Sequence, residues 1–386
     1  MRFALCGMIV LAAGCAATEN HHKPQPVTPE MKQEIDAAKA EAGALDSGNA
    51  LSPADFLARV TAAGGRADFV FGKDRPFAQC HASTVVETAD GGLLCAWFGG
   101  TKEKDDDVGI WFSRFAGGAW SAPATAAKVE QSAHWNPVLF TAPDGATHLF
   151  FKVGPEIPHW RTYWMSTTDN GAAWTAPREL VAGDKGGRGP VKNKPILLSD
   201  GAWLAPASTE PGRWWSFADR STDKGLTWTR SEDFAQPEGL KGKGAIQPTL
   251  WESEPGRVHA LLRTSAGRVW RADSADFGKT WSPMRATGLP NNNSGIDALR
   301  LEDGRVLLLL NPVGKNWGPR TPLDLAVSKD NGETWSVLAH LENDPNPDSE
   351  YSYPAIVRTR GGVAACYTYN RDTVRCWQIP LAALGG

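Results

Sequence analysis

From residue 67 onward the chain alternates short apolar runs with turn residues, in segments of strand length. The runs "STVVETAD", "NPVLFTAPD", "KPILLSD", "QPTLWESEP", "IDALRLED" and "YPAIVRTR" each lead into a Gly turn, at Gly91, Gly145, Gly201, Gly256, Gly304 and Gly361. A second apolar run follows each turn, such as "LLCAWFGG" or "VLLLLNP". Apolar runs joined through Gly or Asp-Gly turns predict β-hairpins. Six such hairpins recur at a spacing of about 54 residues, each unit holding several strands. A period of that size predicts an all-β fold, a six-bladed β-propeller with one four-stranded sheet per blade, over residues 67–386.

A second repeat runs in phase with the first. "TTDNGAAWT" at Thr167, "STDKGLTWT" at Ser221, "SADFGKTWS" at Ser274 and "SKDNGETWS" at Ser328 all read Ser/Thr-x-Asp-x-Gly-x-x-Trp. One period earlier, "SRFAGGAW" keeps Ser113, Gly117 and Trp120 but has Phe115 at the Asp place. The phrase is a turn: Asp accepts backbone N–H groups, Gly supplies a positive φ, and Trp packs between strands. A set repeated around a ring is structural, so the chemistry must lie elsewhere.

The last unit lacks a box of its own, and "ADFVF" (67–71) is placed to supply its outermost strand and close the ring. Ahead of it, "SPADFLARVTAAGG" (52–65) predicts a short helix with Ser52 as N-cap and Pro53 in the first turn. Residues 16–66 then read as a polar, Ala-rich tether ending in that helix. Residues 1–15 read as an export signal, with Arg2 before the apolar run "FALCGMIVLAAG". "LAAGC" is either a lipoprotein box that lipidates Cys15 or part of an ordinary signal peptide. Both imply a periplasmic or cell-surface protein, with membrane contact only through an anchor at Cys15.

Composition changes little. Forty basic and 43 acidic residues give a net charge of −3, so nothing suggests a nucleic-acid partner. Seventeen Trp and 40 Gly agree with an all-β chain rich in turns. Cys366 and Cys376 flank a turn at "NRD", so they either face each other as a disulfide or remain buried thiols. No phosphate loop, dinucleotide fingerprint or metal-ligand spacing is present, which implies no cofactor and no required metal.

The repeated box resembles the Asp-box, or bacterial neuraminidase repeat, of the sialidase superfamily. "CHASTVVE", "AWFGGTKE", "WNPVLF", "KNKPILL" and "NSGIDALR" resemble its exo-α-sialidase-like branch. The resemblance implies an exo-acting glycoside hydrolase that releases a terminal acidic sugar, such as sialic acid, from a glycan. It implies a carboxylate-binding arginine triad, a Tyr nucleophile with a Glu partner, and an Asp acid/base. Arg263 in "LLRTSAGRVW" and Arg320 in "PRTPLDLAVSKD" match two arginines; His81 stands at the place of the first. The nucleophile is Tyr351 by the "Y-S" motif or Tyr353 by strand register. The partner Glu falls at Gln247, so Glu350 or Glu210 would have to replace it. In "GGTKEKDDD", Glu103 or Asp106 is the expected proton donor.

Asn136, Lys194, Gln247 and Tyr353 each directly precede a proline, which places them near the start of inner strands and hence near the axis. Lys152 and Lys192 are further cations there, and Trp135 and Trp160 either stack on a sugar or pack the blades. His81 and Gln247 depart from the family pattern and keep two other readings open. One is a non-catalytic propeller that binds glycan or protein. The other is a lyase or hydrolase for a different uronic or ulosonic acid, with His81 as acid/base.

Overall fold

The computed structural model describes residues 45–385. The export signal, its Cys15 and the tether as far as residue 44 lie outside the described residues. Six antiparallel sheets follow one another around an axis, each with its first strand innermost. The inner strands are Gln79–Glu87, His134–Thr141, Ile196–Leu197, Ala245–Glu254, Asp297–Arg300 and Tyr351–Thr359, in blades one to six. The sheet-to-sheet spaces are filled by the inward residues of neighbouring blades. Trp203, Phe140 and Phe150, for example, pack between blades two and three.

The ring closes as the sequence implies. Arg66–Phe69 pairs antiparallel with Thr373–Pro380, so the first strand among the described residues is the outermost strand of the last blade. The helix α1 (Pro53–Ala62) begins at Ser52, whose Oγ accepts the Asp55 N–H. It buries Phe56 and Val60 against Leu341, Trp377 and Ile379 of blades five and six. The segment before it also belongs to the propeller: Leu51 N–H donates to Leu338 O at 3.1 Å, and Val337 N–H donates to Asp46 O at 2.7 Å.

The four boxes share one hydrogen-bond pattern. At Ser328, Oγ donates to Asp330 Oδ1 at 2.7 Å and accepts Gly332 N–H at 2.7 Å. Asp330 accepts Thr334 N–H at 2.9 Å, and Trp335 Nε1 donates to Gly332 O at 3.1 Å. The turn needs two left-handed residues rather than one. Asn170, Lys224, Phe277 and Asn331, each just before the box Gly, also have φ near +60°. Trp174 in the first box is the exception, with no partner for its Nε1.

Cys366 and Cys376 sit opposite each other in register and are joined as a disulfide. Cys80 and Cys95 are buried free thiols. Among the described residues no helix is long and apolar enough to cross a membrane.

His148 yields a test of the packing between blades two and three. Its Nδ1 accepts the Trp164 indole N–H at 3.0 Å, and burial lowers its pKa to about 4. A base whose folded pKa lies below its ordinary 6.5 takes up a proton on unfolding, so its stabilising contribution is whole above pH 6.5 and falls as pH drops towards 4. Urea denaturation across that window will show the wild type losing about 1.4 kcal/mol per pH unit more than His148→Gln. Equal slopes would mean that His148 is charged in the fold.

Candidate active site

Four inner strands carry the same distortion. Ala82, Asn136, Gln247 and Tyr353 all have positive φ, between 40° and 56°. At each, the register to the next strand slips, as between Ile246 and Thr249 or Ser352 and Ala355. The following residue is Pro in three of them, Pro137, Pro248 and Pro354. Proline fits because the inner edge of a blade has no neighbouring strand to receive its N–H. The bulge places Asn136, Gln247 and Tyr353 at equivalent positions, with His81 one residue ahead of that position in blade one.

Tyr353 is the centre of a polar cluster. Arg263 Nη1 donates to Tyr353 Oη at 2.6 Å and to Gln247 Oε1 at 3.0 Å. The Nε and Nη2 of Arg263 both donate to Asn293 Oδ1, at 3.1 and 2.9 Å. Asn293 is itself fixed by donating from Nδ2 to Asn316 Oδ1 at 3.0 Å. The guanidinium carbons of Arg263 and Arg320 both lie 5.5 Å from the centre of the Tyr353 ring. The His81 ring packs on Tyr353 with centroids 4.3 Å apart. Tyr353 is thus surrounded by two guanidinium groups and an imidazole.

A second layer of charge lies beside it. Glu350 Oε1 accepts Arg320 Nη1 at 2.6 Å and the Ser352 hydroxyl at 2.7 Å, while Oε2 accepts Arg371 Nε at 3.0 Å. Arg371 Nη1 donates to Glu103 Oε2 at 2.6 Å. Burial alone would raise the Glu350 carboxyl, but Arg320 and Arg371 hold it well below the ordinary range. His81 Nδ1 has no hydrogen-bond partner and stands 3.7 Å from Glu350 Oε1. Burial, with Arg371 close by, keeps the His81 pKa well below its ordinary value, so the imidazole is neutral. Glu210 stands at the end of strand Trp203–Thr209. Burial pushes its carboxyl up even against the opposing pull of Arg263 and Lys243.

The structure therefore brings together Tyr353, His81, Arg263, Arg320, Gln247 and, through Arg371, Glu103. Asn136 shares their bulge. Two other candidates, Tyr351 and Lys194, lie apart. Tyr351 is buried, with its ring against Tyr369 and its hydroxyl 3.4 Å from Asp344 Oδ2. The bulge between Ser352 and Ala355 turns Tyr353 to the cluster and leaves Tyr351 in the core. Lys194 does not share the bulge despite its proline; its Nζ donates to both oxygens of Asp297 at 2.9 Å. Asp106 stands on the exposed 101–107 loop, and its backbone oxygen accepts from Lys128 Nζ.

Of the other cations, Lys152 is buried beneath the 187–189 loop, donating to Gly187 O at 2.8 Å and Arg188 O at 2.9 Å. Lys192 Nζ donates to Asn193 Oδ1, Ile296 O and Pro354 O. Burial lowers both ammonium groups to about 7. Trp135 and Trp160 pack against each other inside blade two. The widely exposed indole is Trp317, at φ +56° on the loop that joins Asn316 to Arg320. Among the described residues, no three His, Cys, Asp or Glu side chains are grouped to hold a metal ion.

Arg371, Asn293 and Trp317 were missed in the sequence. Arg371 follows Asn370 in a hairpin turn, and only the turn is legible there. "NNNSG" and "GKNWGP" read as loops, whose function depends on what faces them.

Fold and cluster together define a six-bladed Asp-box propeller whose inner strands carry a cationic, tyrosine-bearing cluster. The chain belongs to the BNR repeat-like domain family, whose model matches residues 91–366. It is similar in structure to the Hadza microbial sialidase Hz136, at 17% identity over 82% of this chain and 69% of that one, TM-score 0.69. A protein of unknown function from Dyadobacter fermentans DSM 18053 matches at 18% identity, over 81% and 98% of the two chains, TM-score 0.63. The intramolecular trans-sialidase from Ruminococcus gnavus matches at 12% identity, over 82% and 98%, TM-score 0.62. At these identities the likeness is one of fold. No curated protein matches the chain.

Lys194 is separable from the cluster by experiment. Lys194→Met leaves the Asp297 carboxylate, whose side chain is 2% exposed, without its cation. Urea denaturation will show a loss of about 3 kcal/mol. A loss below about 0.5 kcal/mol would mean that the ion pair is not part of the framework.

Proposed function

We propose that this protein is an exo-acting glycoside hydrolase of the sialidase type, which releases a terminal acidic sugar from a glycan. The observation that carries the reading is the Tyr353 hydroxyl held by Arg263 at 2.6 Å, with Arg320 across the same ring. Guanidinium groups bind carboxylates through paired N–H donors. A sugar carboxylate bound at Arg263 and Arg320 sets its anomeric carbon near Tyr353 Oη. A tyrosine suits such a sugar, since an attacking carboxylate would be repelled by the sugar's own charge.

In this reading Tyr353 Oη bonds to the anomeric carbon as the glycosidic C–O bond breaks. The phenol proton passes to the neutral His81, and Glu350 stabilises the resulting imidazolium. His81 with Glu350 takes the part of the carboxylate that Gln247 cannot play. The leaving oxygen needs a proton from a carboxyl of the 101–107 loop. Glu103 is committed to Arg371 and Asp107 to Thr101, and of the remaining carboxyls Asp106 is assigned as the donor. Asp106 then takes a proton from water, whose oxygen bonds to the anomeric carbon and frees Tyr353, and His81 returns the phenol proton.

Tyr353→Phe and Arg263→Ala are expected to abolish fluorophore release from an aryl α-sialoside while leaving the thermal unfolding midpoint within a few degrees of wild type. Full activity in both variants would sink the proposal.

One observation favours a second reading. Among the described residues no carboxylate is hydrogen-bonded to the Tyr353 hydroxyl, and Arg263 is flanked by the neutral amides of Gln247 and Asn293. That arrangement also suits β-elimination on a uronic acid. Arg263 would neutralise the carboxylate, His81 or Tyr353 would take the proton α to it, and the β oxygen would leave. Incubation with uronate-containing glycans distinguishes the two, because only the lyase yields an unsaturated product with new ultraviolet absorbance.

A further inference from the structure

Two stretches of the sequence, "KNKPILL" and "NSGIDALR", meet beneath the axial cluster. Lys192 and Asn193 stand ahead of the short inner strand of blade three, and Gly295 and Ile296 ahead of that of blade five. Lys192 is buried and left-handed, at φ +66°, an uncommon state outside glycine and a mark of local constraint. Its Nζ donates to Asn193 Oδ1 at 2.9 Å, to Ile296 O at 2.8 Å and to Pro354 O. Pro354 directly follows Tyr353, so the third bond holds the bulge that presents the phenol.

A bulge on an inner edge has no neighbouring strand, so its backbone groups need other partners. At the Tyr353 bulge, Lys192 serves the Pro354 carbonyl, and Asp297 Oδ2 accepts the Ile356 N–H just beyond it at 2.9 Å. At the Gln247 bulge, Asn193 Nδ2 donates to Gln247 O at 3.0 Å and to Pro248 O at 2.9 Å. The Lys192–Asn193 bond joins the two supports. One dipeptide of blade three therefore holds both bulges whose side chains, Tyr353 and Gln247, meet at Arg263.

The contact reaches the ring as well as the backbone. Gly295 is buried, and its φ lies outside the left-handed region, so glycine stands here for space and not for backbone conformation. A Cβ at this position would lie 2.8 Å from Lys192 Cε and 3.4 Å from Tyr353 Cγ. The lysine stem and the tyrosine ring converge on the bare Cα of residue 295.

We infer that Lys192 is a positioning residue for Tyr353, supported by Asn193 and Gly295. It sets where the phenol stands relative to Arg263 and His81, through the Pro354 carbonyl and through the packing at Gly295. The part of Tyr353 as nucleophile rests on the glycosidase reading above, whereas its placement rests on these contacts alone.

The test reads Tyr353 directly, so that it does not depend on catalysis. The full chain is grown with 3-fluorotyrosine, which labels its five tyrosines, and Tyr353→Phe assigns the fluorine resonance of residue 353. Lys192→Met removes the three donated bonds but keeps a stem of similar length. Gly295→Ala adds one methyl group against that stem and the ring. Arg271→Met is the control, because Arg271 is as deeply buried but ties blade four to Asn331 O in the box of blade five. The expected result is a shifted residue-353 resonance in Lys192→Met and in Gly295→Ala. Arg271→Met should lower the thermal midpoint and leave that resonance in place. On an aryl α-sialoside, kcat should fall about a hundredfold in both variants with KM within about threefold, because the phenol is misplaced while Arg263 and Arg320 keep their own partners. A resonance unmoved in both variants, or moved as far by Arg271→Met, would overturn the inference. A rise in KM with kcat unchanged would do the same, since the effect would then lie in binding. Loss of the fold in both variants would also overturn it and make the two residues part of the ring's framework. If the resonance moves but the wild type cleaves no sialoside, the glycosidase reading falls and the placement of Tyr353 by Lys192 stands.

Discussion

The buried carboxylate of Asp297 is the constraint on which the axis depends. A ring of six sheets leaves its inner strands without strand partners on one edge, and something must hold those edges in place. Asp297 begins the inner strand of blade five and accepts from Lys194 of blade three, Thr249 of blade four and the Ile356 N–H of blade six. Lys192 adds a second tie, from blade three to the carbonyls of Ile296 and Pro354. All of these groups but the half-buried Lys194 are buried, so losing one partner would expose the others to the cost of an unpaired polar group. The pair fixes the floor against which Tyr353 is placed.

That floor explains how the blades divide their work. Blades one, two, four and six bend their inner strands at Ala82, Asn136, Gln247 and Tyr353 and present side chains to the axis. Blades three and five have much shorter inner strands, Ile196–Leu197 and Asp297–Arg300. The residues ahead of those strands, Lys192 to Lys194 and Asn291 to Ser294, become struts or supports. Asn293 is one of them, and it orients Arg263 by accepting two of its N–H groups. Pseudo-symmetry in the fold is thus broken at the axis, where unlike residues build the polar cluster.

Charge at the site is nearly balanced. Three arginines, Arg263, Arg320 and Arg371, face two glutamates, Glu103 and Glu350, and His81 is held neutral by burial among them. Because Glu350 occupies both Arg320 and Arg371, Arg263 is the arginine of the cluster held by neutral partners alone. The acidic loop of blade one and the last hairpin of blade six are joined by the Arg371–Glu103 ion pair, so loop position and charge balance are linked.

The sequence by itself determined the ring. The boxes, the Gly turns and the apolar runs are local patterns with local chemistry, and a box such as "SKDNGETWS" contains nearly all the partners it needs. The closing strand at residues 66–69 and the Ser52 cap were legible for the same reason. Strand register pointed to Tyr353, whereas Arg263 and Arg320 were legible only through the resemblance of their flanking motifs to the family's. The tertiary structure alone decided between Tyr353 and Tyr351, because a bulge reverses which side chain faces the axis. It alone assigned Lys194 to the framework, since its partner Asp297 is 103 residues away. Arg371 was out of reach because its ion pair with Glu103 spans 268 residues. A turn is specified by its own few residues, whereas a charged side chain takes its role from groups that only the closed ring brings beside it.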